Sequence, residues 1–316
     1  MSKVLVTGGA GAIGSRLVQG LCREHEVFVL DDLSSGWLDN IRGLPVRFWR
    51  GSVTDEEILE EVFAVGPEII FHLAANFANQ NSVDYPLKDL HVNGIGTLKL
   101  LQFAMRYPVR RFIYSSSSCV YGNTGPVASE DSSTYSLDTP YAITKLLGEQ
   151  YVNFFHRHHR LPTVILRFFN SFGPGEYPGK YRNVIPNFML RVLRGQPLAI
   201  TGTGEETRDF TFVDDTVQAL QLAMTRDEGI GMTFNVGTGR ETSVRELAEL
   251  IVKTCGRQVT IEHQPRRQWD SVERRRADVQ LIRERLGFQP SVDLPTGLAL
   301  THRWFLENGV AQFEPR

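Results

Sequence analysis

Six short runs rich in β-branched and aromatic residues punctuate the first part of the chain: KVLV (3–6), EVFVL (26–30), VRFWR (46–50), EIIFHLA (68–74), RFIYS (111–115) and TVILRFF (163–169). Stretches of helix length separate them. Strands that stay apolar at successive positions are buried on both faces, and strands that alternate with helices run parallel. These runs therefore confine the fold to a parallel sheet covered by helices on both sides, a doubly wound α/β architecture. Past residue 170 the texture changes. NSFGPGEYPGKYRN (170–183) is dense in Gly, Pro and aromatics, and strand- or helix-like text resumes only with DFTFVDDTVQALQLAM (209–224) and MTFNVG (232–237). The expected organisation is one α/β domain over 1–169, with 209–238 returning to it, and a smaller interleaved portion over 170–316.

A chain of 316 residues can bury a large core. With 41% hydrophobic and 22% charged residues and a net charge of -2, it carries no signature of disorder, of nucleic-acid binding or of a polybasic membrane patch. Its expected partners are small molecules, with no nucleic acid and no membrane. Cys22, Cys119 and Cys255 are odd in number and far apart, which fits neither a disulfide framework nor a metal cluster and points to a reducing compartment. The opening MSKVLVTGG already reads as a strand rather than a signal peptide, and no later apolar run is long enough to span a bilayer. The expectation is a cytoplasmic protein without a metal. The basic run ERRRAD (273–278) reads as a solvated face.

In VTGGAGAIGSRLVQGL, Gly8, Gly11 and Gly14 stand between a strand and an amphipathic helix. Glycine there lets the backbone turn tightly and approach a pyrophosphate, while the helix N-terminus, with Ala12 and Ile13 at its start, offers unpaired N–H groups and a positive dipole end. The second run, EVFVLDDLSSG, ends in Asp31 and Asp32, where a carboxylate would accept from an adenosine ribose; with no arginine immediately after, NAD is favoured over NADP. The bland alternative is that Asp31 only caps the turn. In TPYAITKLLGEQY, Tyr141 and Lys145 are four apart and share one helix face. An ammonium beside a phenol favours the phenolate, lowering its pKa from about 10 and producing a general base.

Together with TGGAGAIG (7–14), DDLSSG (31–36), HLAA (72–75), VNGIGTLKLL (92–101), SSSSCVYG (115–122), PYAITK (140–145), RFFNSFGPG (167–175), NVIPNF (183–188), GTGEETRDFTFVDD (202–215) and RLGFQP (285–290), the chain resembles the extended short-chain dehydrogenase/reductases. Within them it is most similar to the NAD-dependent nucleotide-sugar epimerase/dehydratase family, and in pattern to its UDP-glucose 4-epimerase-like members. The resemblance implies a Rossmann fold, NAD as cofactor and a nucleotide-diphosphate sugar as substrate. It also implies a homodimer joined through helices near 92–106 and 141–157. By the same resemblance Ser117 meets the reacting oxygen, Tyr141 takes the proton of the sugar 4-hydroxyl, and Lys145 holds the nicotinamide ribose. Cofactor contacts are implied at Gly8, Gly11, Ala12, Ile13, Gly14, Asp31, Asp32, Ser52, Val53, Leu73, Ala74, Ala75, Phe77, Ser115, Tyr141, Lys145 and Phe168. Substrate contacts are implied at Ser117, Ser118, Tyr141, Asn170, Asn183, Leu198, Ile200, Arg208, Arg267 and Asp270.

Position 119 bears on the reaction. Family dehydratases read like TDEVYG and uronate decarboxylases like TSEVYG, whereas this chain has Ser118 and Cys119. Without that carboxyl pair, dehydration lacks its acid and base. Cys119 is then either a small residue filling the pocket, as in 4-epimerases, or a proton-transfer group, as in GDP-sugar 3,5-epimerases, which pair it with a histidine or lysine in the loop where this chain has the epimerase-like Asn183, with Lys180 close by in the same loop. Tyr177 stands roughly where uronate epimerases carry an arginine, which favours a neutral hexose. Three departures from the family pattern stand out: Phe77 replaces a lysine or glutamine at the cofactor, Ser52 replaces an adenine-binding aspartate, and Trp269 replaces a glycine beside Arg267. The expected function is an NAD-dependent 4-epimerase of the UDP-glucose/UDP-galactose type. The alternatives are another nucleotide-sugar modifier using Cys119 and a catalytically silent NAD(H)-binding regulator.

Overall fold

The computed structural model describes residues 1–132, 134, 136–310 and 313. All six apolar runs form strands of one parallel sheet, and a seventh strand, Thr233–Val236, joins them. The strand order is Thr233–Val236, Thr163–Phe168, Arg111–Ser117, Ile69–His72, Lys3–Thr7, Glu26–Asp31, Val46–Arg50. Every neighbouring pair is parallel.

Alternation along each strand feeds two apolar layers. Val4, Val6, Phe71 and Ile113 enter a cluster with Leu17, Val18 and Leu220, while Leu5, Ile70 and Phe112 enter another with Leu59, Phe63 and Leu100. These side chains are almost completely buried, and each contributes about 1.5–3 kcal/mol of transfer free energy. A third cluster, with Phe172, Met189, Phe212, Leu247 and Phe305, underlies the C-terminal portion. Short strands there, Thr242–Ser243, Thr207–Arg208 and Arg274–Ala277, form a four-stranded sheet with Val127–Ala128 from the first portion. The basic run is therefore not simply a solvated face. Strand alternation turns Arg275 inward, where it is buried and donates to the Gly122 carbonyl.

Two strands leave Lys3–Thr7 to one side and four to the other, so the chain reverses between this strand and Ile69–His72. Loops diverge at such a reversal and leave a crevice at the carboxyl ends of the strands. His72 fastens the floor of the crevice: Nδ1 pairs with the Thr7 hydroxyl at 2.9 Å and Nε2 with the Thr97 hydroxyl at 2.9 Å. It is the satisfied core histidine that its place in a strand suggests.

Candidate active site

The crevice begins at the glycine turn. Gly8 has φ +73, and a Cβ on Gly14 would lie 2.2 Å from the Gly8 carbonyl oxygen, so the turn closes only without side chains at both positions. The helix that follows, Ala12–Leu21, starts from Gly11 with no side-chain cap, leaving its first N–H groups directed at the crevice. Asp31 is buried at the end of its strand, and burial raises its carboxyl above the ordinary range. Its oxygens accept from Ala10 N at 2.9 Å and Leu33 N at 2.8 Å, so it shapes the turn and also lines the crevice. Asp32 instead accepts from the Ser34 N–H and hydroxyl. An uncapped helix start, a glycine cradle and an acid on the neighbouring strand fit a dinucleotide, with its pyrophosphate at the helix and its ribose at the acid.

Opposite this turn lies the helix Pro140–His159. Thr139 caps it by accepting from Ala142 N at 3.3 Å, and Pro140 stands in its first turn, where no N–H is needed. Tyr141 in that first turn is anchored by its own N–H, which donates to the Ser82 hydroxyl at 3.0 Å. One turn on, Lys145 Nζ donates to the Ser115 carbonyl at 2.8 Å and lies 5.8 Å from the Tyr141 ring centroid. Ser117 caps a short turn, its hydroxyl accepting from Cys119 N at 3.2 Å, which sets Ser117 and Cys119 on the same wall as Tyr141.

The electrostatics differ from the sequence expectation of a phenol lowered by its lysine. Burial pushes the Tyr141 phenol well above its ordinary value, the neighbouring Cys119 and Asp89 add to the rise, and the Ser117 hydroxyl opposes it. Burial also brings Lys145 down to about 8, against the pull of the Asp89 and Glu149 carboxylates. In the protein alone desolvation decides the direction of both shifts.

The crevice is lined by Gly8, Gly11, Ala12, Ile13, Gly14, Asp31, Asp32, Ser52, Val53, Leu73, Ala74, Ala75, Phe77, Ser115, Ser117, Ser118, Cys119, Tyr141, Lys145, Phe168, Asn170 and Asn183. Phe77 meets Tyr141 edge-on, with ring centroids 6.0 Å apart. The structure does not bring five predicted substrate residues to this lining. Leu198 and Ile200 are fully buried in the C-terminal core, because alternation along Leu198–Thr201 turns them inward. Arg208 and Asp270 pair with each other at 3.2 Å, and burial lowers the Arg208 guanidinium from its ordinary value. Arg267 is exposed, its guanidinium 5.5 Å from the Trp269 ring centroid, and Trp269 in turn donates to Gln80 at 3.0 Å. Its neighbour Arg266 turns inward instead, and its Nε and Nη2 are buried without a partner among the described residues. Tyr177 stacks on Trp37 at 4.1 Å as part of the core, and Lys180 pairs with Asp84 at the surface rather than with Cys119.

Several lining residues were not legible in the sequence. The Asn79 Oδ1 accepts from the Thr139 hydroxyl at 2.9 Å while its Nδ2 donates to the Cys119 sulfur at 3.5 Å, fixing an amide beside Cys119. Glu176 and Arg182 come from the loop read only as Gly- and Pro-rich text. Burial raises Glu176 to about 7, Asn183 donates to its Oε1 at 2.7 Å, and its Oε2 has no partner among the described residues. The nearest signal was motif position, which singled out Asn183 but not Glu176 or Arg182.

Residues 4–237 match the NAD dependent epimerase/dehydratase family. A UDP-glucose 4-epimerase of Mycolicibacterium smegmatis is 37% identical over 96% of this chain and 98% of its own. A dTDP-glucose 4,6-dehydratase of Streptomyces niveus is 34% identical over 99% and 95%. Among solved structures, an epimerase of the methanogen Methanothermobacter thermautotrophicus superposes with a TM-score of 0.95 at 47% identity, over 97% of this chain and 93% of the other.

Proposed function

The chain belongs to the NAD-dependent epimerase/dehydratase family, and from that membership we propose that it is a nucleotide-sugar 4-epimerase of the UDP-glucose/UDP-galactose type that works through a transient 4-keto sugar. Bound NAD supplies the hydride acceptor and donor at sugar C4. The observation that carries the reading is the wall around Tyr141. Ser118 and Cys119 stand there at the positions where the resembling dehydratases carry a carboxyl pair, so the acid and base that expel the C6 hydroxyl in those enzymes are missing from these two positions.

In this reading Tyr141 Oη takes the proton of the 4-hydroxyl and returns it, and Ser117 Oγ hydrogen-bonds the same oxygen. Lys145 keeps its ammonium beneath both, anchored on the Ser115 carbonyl. Asn170 and Asn183 line the sugar side, and the inward-turned Arg266, whose Nε and Nη2 have no partner among the described residues, has donors to offer a diphosphate, whereas Arg208 is held by Asp270 outside the lining. Asp31 and the glycine turn hold the dinucleotide. Three free thiols suit a reducing cytoplasm. Exposed Leu90, Ile95, Ile143 and Phe154, on helices near 92–106 and 141–157, suit a homodimer.

A second reading, proton transfer by Cys119 in a 3,5-epimerase, is favoured by the amide hydrogen bond from Asn79 to the sulfur and disfavoured by Lys180 lying at the surface. The test is proton NMR of UDP-glucose with purified protein in deuterium oxide. Inversion at C4 with no deuterium in the sugar supports the proposal. Deuterium at C3 or C5 supports the second reading, and a 6-deoxy-4-keto product sinks both.

A further inference from the structure

The loop 173–183 of the C-terminal portion is zipped onto the loop that follows Asp31. Asn40 Nδ2 donates to the carbonyls of Ala10, at 3.1 Å, and Gly175, at 3.2 Å. The Trp37 and Tyr177 rings stack, and Arg182 Nη2 donates to the Ser35 carbonyl at 2.5 Å. Arg182 therefore stands in the crevice wall that also contains Ser34, Ala12 and Ile13, although its sequence position belongs to the other portion of the chain.

Its charge is poorly answered. Among the described residues Arg182 forms no ion pair, and the carboxylate acting on it is Glu176. That carboxyl is itself pushed up to about 7, so near neutral pH it is only partly ionised. A guanidinium has five N–H donors, and the Ser35 carbonyl takes one direction of them. Arg182 and the uncapped helix start at Gly11 are thus two positive features bordering one space. Such a pair calls for an anion with several acceptor oxygens, and a pyrophosphate at a helix N-terminus is that anion.

We propose that Arg182 binds the pyrophosphate of the dinucleotide, so that the cofactor is gripped from both portions of the chain. Glu176 beneath it is a tolerant neighbour rather than a ligand. The inference rests on the family's use of NAD and not on which sugar is turned over or how.

The test uses protein stripped of cofactor, with NAD, ADP-ribose and UDP titrated calorimetrically into the native chain, Arg182→Met, Arg182→Lys and Glu176→Gln. Losing a charge-assisted contact is expected to weaken NAD and ADP-ribose by roughly 10- to 100-fold in Arg182→Met. UDP should bind as in the native chain, Arg182→Lys should recover part of the loss, and Glu176→Gln should bind NAD at least as tightly as native. An unchanged NAD affinity in Arg182→Met overturns the proposal, as does a loss confined to UDP. So does an equal loss in Glu176→Gln, which would mark the loop as a scaffold only. If Arg182→Met does not fold, Arg182→Lys decides: an intermediate NAD affinity with native UDP binding supports the contact, and native affinity for both overturns it.

Discussion

At the scale of single residues, the site turns on groups whose pKa burial moves from the ordinary value. Tyr141→Phe removes the hydroxyl and keeps the ring against Phe77, so turnover should fall about 100- to 10,000-fold while UDP-sugar affinity holds; steady-state kinetics with calorimetry checks both. His72 gives a stability prediction. Burial, with the Lys145 charge adding, brings it from 6.5 down to about 3, so it is neutral in the fold and takes up a proton in the unfolded chain. The unfolded state therefore binds more protons between these values. Stability is fully present above 6.5 and is lost as pH falls toward 3, by up to about 1.4 kcal/mol per pH unit. Urea melts between pH 7 and 4 should show this slope flattened in His72→Gln. Residue identity was legible where a motif fixes spacing, as for Ser117, Tyr141 and Lys145, all of which the structure gathers in one crevice. It was illegible where two neighbours share a chemistry. Arg266 and Arg267 are the same residue type, and only loop geometry decides that the first turns inward.

At the scale of elements, periodicity carried further than chemistry did. The six apolar runs became six strands because continuous burial leaves them few other places, whereas two-residue strands such as Thr207–Arg208 have no period to read. Leu198 and Ile200 show the limit. Their strand was visible as a motif, but which face it turns to the core was not. The glycine turn yields a sharper expectation. A Cβ at position 14 would meet backbone, which cannot give way as a side chain would. Gly14→Ala should cost about 1–3 kcal/mol of stability and release the dinucleotide. Thermal melting and the ultraviolet spectrum of the purified variant, which reads bound cofactor, would show an intact melting temperature or native cofactor content if the turn were more forgiving.

At the scale of the molecule, exposed apolar side chains on the helices beside the crevice suit a second copy of the chain. Ile143→Asp combined with Phe154→Asp should convert a particle of twice the chain mass to one of single mass in light scattering. A native particle already of single mass would remove the dimer. The connection between the two portions was only half legible, since the Gly- and Pro-rich text at 170–183 marked a boundary and concealed that the same loop reaches back to Ser35 and Asn40. The last sheet strand raises a different matter. Thr233–Val236 completes an edge whose other strands end by Phe168, with much of the C-terminal portion in between. A ribosome must finish that strand before Thr163–Phe168 has a partner on its outer side. A gene fragment cut between the two would release a polypeptide with a raw, sticky rim, prone to clump with its siblings until the missing piece is supplied.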